Sequence, residues 1–168
     1  MPDGVRPGLG LEEPPGVPPE PPYPAELVGH ADYTPDNLVF RDGEAAALID
    51  FDIARPVTRV DELYNAMLYW APLCDPVDAD PVLRGLDMPR RCRILADAYG
   101  MSEIDRSRLV EVAVMRTRRS WFLMRRNAEE LGGGWARMWS EGVGDQIKRR
   151  EAWLERRGAE LDAALTAP

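Results

Sequence analysis

The sequence predicts an α+β fold, mainly helical, with a small β-hairpin region ahead of the helices, and three observations carry that reading. Between Glu26 and Asp50 the apolar runs are each too brief for two helical turns and are separated by turn residues. From Val60 onward apolar residues recur at three- and four-residue spacing. Residues 1–25 are rich in proline and glycine and end in PPGVPPEPPYP, a composition that builds no core and favours an extended polyproline-type or disordered tail. The organisation expected is a tail over 1–25 and one domain over 26–168. A chain of 168 residues has room for one hydrophobic core and not for two ordinary domains.

The elements follow in order. Leu27-Val28 leads into His30, Asn37-Leu38-Val39-Phe40 forms a second run, and Ala45 to Ile49 a third that ends at Asp50. Asp42-Gly43 is a hairpin turn between the second and third. Val60, Leu63, Tyr64, Met67, Leu68 and Ala71 share one helical face, stopped by Pro72. Asp87 caps the next helix, with Pro89 in its first turn and Gly100 at its end. Ser102 with Asp105 opens a long helix running to about Leu131. Gly132-Gly133-Gly134 breaks the chain before a last helical stretch carrying Ile147, Leu154, Leu161 and Leu165.

Charge and composition exclude several classes. The net charge is −8, but residues 1–105 hold 8 basic and 20 acidic side chains against 13 and 9 in residues 106–168. An acidic front half repels phosphate backbones, so no nucleic acid partner is expected. The arginine pairs near the C-terminus, Arg118-Arg119 among them, lie among glutamates and read as a solvated helix face. No apolar run approaches a membrane span, and no basic-then-apolar leader is seen at the start, so a cytoplasmic protein without a membrane partner is expected. Cys74 and Cys92 fit no disulfide framework or zinc spacing and read as buried or half-buried thiols.

The chemistry lies in His30-Ala31-Asp32-Tyr33-Thr34-Pro35-Asp36-Asn37, followed by Ile49-Asp50-Phe51-Asp52. The first stretch has the spacing H-x-D-x-x-x-x-N of a kinase catalytic loop, and Asp50 follows Asp32 by 18 residues across a strand–turn–strand. Phosphoryl transfer needs an oriented hydroxyl and cations that neutralise phosphate charge. A carboxylate at the loop apex, Asp32, suits the first task. Asn37 and Asp50 offer neutral and charged oxygens to Mg²⁺, a hard cation that completes its shell with water and substrate phosphates.

HADYTPDNLVF…ALIDFDIARPVTRVDELYNAMLYWAPL resembles the pattern HxDxxxxNhhh…hIDFDxAxxxxRxxDLAxxxxxxxPL (h apolar) of the aminoglycoside phosphotransferase and choline-kinase-like superfamily. The resemblance implies a protein-kinase-like C-terminal lobe with its β-hairpin region at the catalytic loop. It implies Asp32 as catalytic base, and Asn37 and Asp50 as ligands of Mg²⁺ and, through it, of ATP. It makes His30 and Asp61 structural, Asp61 by accepting hydrogen bonds from the catalytic-loop backbone. Such families hold ATP with a glycine-rich loop and a strand lysine in an N-terminal lobe. Residues 1–25 contain neither, and Lys148 is the one lysine in the chain. The expectation is therefore a truncated phosphotransferase with little activity and weak ATP binding alone. A separate N-lobe chain or self-association would cover its exposed face, and a small hydroxylated molecule would be its substrate. The alternative is a non-catalytic small-molecule or protein-binding module built on the same fold.

Overall fold

The structure, a computed structural model, describes residues 13–166. Four short strands precede the first α-helix: β1 (Leu27–Gly29), β2 (Leu38–Arg41), β3 (Glu44–Leu48) and β4 (Arg55–Val57). Five helices follow: α1 (Arg59–Trp70), α2 (Met88–Tyr99), α3 (Glu103–Glu130), α4 (Gly133–Ser140) and α5 (Val143–Thr166). The result is mainly helical α+β, as the hydrophobic patterning predicts.

The strands form two separate antiparallel pairs, β1 with β4 and β2 with β3. The β2–β3 hairpin closes through Asp42 and Gly43, whose φ angles of 53° and 84° are those a two-residue turn of the primed type requires. β4 is absent from the sequence reading. Arg-Pro-Val has no alternation to read, and it becomes a strand only because β1 lies beside it, with Leu27 opposite Val57 and Gly29 opposite Arg55. Asn37 belongs to a 3₁₀ turn over Pro35–Asn37, not to the start of β2.

The helix boundaries follow local chemistry. Thr58 caps α1 in a reciprocal capping box with Asp61. Asp87 caps α2, which ends on Gly100 in the left-handed conformation, and Ser102 caps α3. The glycine run does end α3, but α4 starts inside it, an extra element the sequence does not announce. α3 packs along α5 and against α1, and the core they share contains Val60, Met67, Leu109, Val112, Leu154 and Leu161. Cys92 is buried within it and Cys74 is half-buried. Among the described residues no helix is long and apolar enough to cross a membrane.

Two features change the sequence reading. Residues 1–12 of the expected tail lie outside the described residues. Residues 13–25 form no helix or strand, yet they lie along α3. Arg119 donates to the Pro18 carbonyl and pairs with Glu13 and Glu20, Arg116 also pairs with Glu20, and Tyr23 donates to Glu111 while Arg108 stacks on its ring at 4.4 Å. The arginine pairs are therefore not all solvated. Arg118 sits at the surface with Glu151 and Glu155, whereas Arg119 is only 2% exposed. A helix turns 100° between neighbours, so one member of each pair points outward while the next can face a covering segment.

Candidate active site

α1 is the platform on which the loop after β1 is held. One face of the helix, with Val60, Leu63 and Met67, enters the core. Elsewhere on its surface the helix presents Glu62 and Asn65, three residues apart and so neighbours, with Trp70 at its C-terminal end. Glu62 accepts from the backbone N–H of His30 at 2.6 Å and of Ala31 at 3.2 Å, and from the Tyr33 hydroxyl at 2.8 Å. Asn65 brackets the same loop, donating to the Ala31 carbonyl at 2.9 Å and accepting from the Tyr33 N–H at 2.8 Å. The Trp70 indole donates to the Tyr33 carbonyl at 2.9 Å. Burial, and then the bond to Glu62, push the Tyr33 phenol well above its usual range, so it stays a donor. These contacts hold Ala31 at φ 63°, a left-handed conformation that an alanine adopts only when its surroundings impose it.

The clamp corrects one expectation. Asp61 is buried, but its carboxylate accepts from the Thr58 N–H and hydroxyl and pairs with Arg116, and it takes no loop amide. Burial pushes the Asp61 carboxyl up, but Arg116 and the Thr58 donors outweigh it and hold the group below its ordinary value. The loop amides go to the next residue, Glu62. Adjacent helical positions face about 100° apart, so Asp61 addresses α3 while Glu62 addresses the loop. Glu62 and Asn65 are the residues the sequence reading missed; two polar side chains three apart beside a buried face were the available signal.

The loop and the hairpin are joined by a short chain of hydrogen bonds. The Asn37 side-chain amide donates to the Asp32 carbonyl at 3.2 Å, and the Asn37 carbonyl accepts from the Ile49 N–H at 3.0 Å. His30 Nε2 lies 2.9 Å from the Ile49 carbonyl, which can only accept, so Nε2 carries the proton. The His30 ring is buried, edge-on to Phe51 at 4.4 Å, and its Nδ1 has no partner among the described residues. Asp32, Asn37 and the residue before Asp50 are thus tied into one unit. Asp50 is itself exposed, with φ 63°. The Asp32 carboxylate is half-buried and accepts only the Thr34 N–H, at 3.3 Å, among the described residues. Burial, reinforced by the negative charge of Asp32, pushes the Tyr69 phenol up. Asp36 and Asp52 are exposed.

A hard cation takes oxygen donors of the kind that Asn37 and Asp50 carry. The Asn37 side-chain amide donates one hydrogen bond, to the Asp32 carbonyl, and among the described residues no donor reaches the Asn37 side-chain oxygen or the Asp50 carboxylate. No group of three or more His, Cys, Asp or Glu side chains suited to a metal occurs among the described residues. Lys148 stands elsewhere, on α5, paired with Glu151 and over the Trp121 ring.

Gly29 shows how tightly the clamp is built. A Cβ there would come within 2.3 Å of Glu62 Oε2 and 2.4 Å of Val57. Gly29→Ala is expected to push Glu62 off the His30 and Ala31 amides and destabilise the protein by about 2 kcal/mol, the desolvation cost of unpaired buried donors. Amide hydrogen exchange at His30 and Ala31 should quicken more than exchange within α3 or α5. Unchanged protection at both amides would show that Glu62 is not their anchor.

Comparison with known proteins gives two findings. The family model described as "Phosphotransferase enzyme family" matches residues 14–97. The trifolitoxin immunity protein of Rhizobium leguminosarum bv. trifolii is 37% identical over 87 residues, covering 51% of this chain and 33% of the relative. The chain thus spans about a third of the length of that curated relative. No solved structure matches the chain significantly.

Proposed function

Since the chain belongs to the phosphotransferase enzyme family, we propose that it supplies the hydroxyl-orienting and metal-binding half of an ATP- and Mg²⁺-dependent phosphoryl transfer to a small hydroxylated molecule. The observation that carries this reading is the hydrogen-bonded unit of Asp32, Asn37 and Ile49-Asp50, held on α1 by Glu62 and Asn65. In it Asp32 is the base that accepts or orients the substrate hydroxyl proton. Asn37 and Asp50 hold Mg²⁺, which when bound neutralises phosphate charge. His30 and Asp61 are structural, His30 by fixing the loop to the end of β3 and Asp61 by capping α1.

The phosphate clamp of this reaction is assigned to a lobe outside the described residues, since the one lysine is engaged on α5. Val28, Phe40, Ile49 and Phe51 are exposed beside the site and form the face for that lobe or for a second copy. Mg²⁺ titration followed by amide NMR tests the metal assignment without requiring turnover. Shifts are expected at Asn37 and Asp50 in the wild type and are expected to vanish in Asp50→Asn. Shifts that persist in the variant would remove Asp50 from the ligand set.

The relative's name favours a second reading, in which the same loop-and-hairpin unit binds a toxic molecule and confers immunity without transferring phosphate. Binding of a candidate molecule with no ATP-dependent change in its mass would select that reading.

A further inference from the structure

Arg55 lies on β4, opposite Gly29 of β1, in a cleft that the metal-binding residues do not reach. The cleft encloses about 240 Å³ between the segment ahead of β1 and the junction of β4 with α1 and α3, lined by Glu20, Tyr23, Arg55, Thr58, Asp61 and Arg116 among others. Arg55 is half-buried and makes no hydrogen bond or ion pair with the described residues. A guanidinium carries five donors in a fixed fork, and those of Arg55 are left open to the cleft.

Three carboxylates lie within electrostatic reach of Arg55, and each is committed elsewhere. Asp61 is held by Thr58 and Arg116. Glu62 is held by His30, Ala31 and Tyr33. Glu20 is held by Arg116 and Arg119. The remaining neighbour is another cation: Arg116 spends Nε on Asp61 and Nη1 on Glu20, which leaves its Nη2 without a partner among the described residues. Burial first, and then repulsion by Arg116, pull Arg55 below the usual arginine range. Two guanidinium groups thus share a cleft whose own carboxylates are all engaged.

We propose that this cleft is a binding site for a small oxyanion, a phosphoryl or carboxylate group, received by the open fork of Arg55 with Arg116 beside it. Such a group satisfies the Arg55 donors in bidentate fashion and relieves the repulsion between the two cations. The site is separate from Asp32, Asn37 and Asp50, and it needs no phosphoryl transfer to be occupied.

Calorimetric titration of the full chain with inorganic phosphate and, separately, with acetate, without Mg²⁺ and at constant ionic strength, tests the proposal. Saturable one-to-one binding of at least one anion is expected, and the stronger of the two identifies the preferred group. Arg55→Gln is expected to weaken that binding at least tenfold, while Asp50→Asn leaves it unchanged, which separates this site from the metal site. In anion-free buffer Arg55→Gln is expected to melt at or above the wild-type temperature, because it removes an unpartnered cation. No saturable binding of either anion, equal binding in Arg55→Gln, or a melting temperature several degrees lower in that variant would each overturn the proposal. The last outcome would show that Arg55 already has a partner within the chain.

Discussion

Asp32→Asn is expected to lower turnover by about 10²- to 10⁴-fold, the range ascribed to a positioned general base, once the nucleotide-binding lobe is supplied by fusion or by a partner chain. The change keeps the side chain's size and removes the charge that accepts a proton. Its structural cost is small, because among the described residues Asp32 forms no ion pair and its one side-chain hydrogen bond, from the Thr34 N–H at 3.3 Å, can be accepted equally by an amide oxygen. The loop itself is held through its backbone by Glu62 and Asn65, not through the Asp32 side chain. Nucleotide affinity and melting temperature should therefore stay near wild type while turnover collapses. Steady-state assays, nucleotide titration and thermal melts on the same preparations separate the three quantities. Undiminished turnover in Asp32→Asn would end the assignment of this carboxylate as base.

Asp61→Ala is expected to act on the fold instead. It removes one partner of a buried pair and leaves the Arg116 guanidinium, 14% exposed, with only the solvent-facing Glu20. Breaking a buried ion pair in this way costs roughly 3–5 kcal/mol. The same substitution opens the capping box with Thr58 at the start of α1, the helix that carries the loop clamp. For a domain of this size the melting temperature should fall by on the order of 10 °C. The pH dependence has a definite sign. Because the folded-state pKa of Asp61 lies below its ordinary value of 3.8, the stabilisation it gives is complete above that value and is lost as pH falls through the depressed one. Wild type and Asp61→Ala should therefore differ most at neutral pH and converge in strong acid. A constant gap down to pH 2 would mean that the Asp61 charge is not what stabilises α1 against α3.

Much of the fold is legible in the chain because its causes are local. Asp87 with Pro89 and Gly100 bound α2, Ser102 opens α3, and Asp42-Gly43 closes the hairpin, each through the conformational preference of the residues themselves. The sequence pattern also singles out Asp32, Asn37 and Asp50, and the structure ties Asp32, Asn37 and Ile49, the residue before Asp50, together by hydrogen bonds. β4 and α4 are not legible: the first is a strand only where β1 pairs with it, and the second is a short helix inside a glycine break.

What the sequence by itself determined is the class of fold, the caps of α2 and α3 and the candidate chemistry, all set by short-range preference and residue type. Only the tertiary structure decided which carboxylate holds the loop. Asp61 and Glu62 are neighbours of the same charge, and their roles diverge because α1 turns one toward Arg116 and the other toward the His30 and Ala31 amides. It likewise decided that Arg119 is covered while Arg118 is half-exposed, and that Arg55 stands without an acceptor among the described residues. Those outcomes depend on the angle at which a helix meets its neighbours and on what lies across from it, and neither is encoded in the spacing of residues along one element.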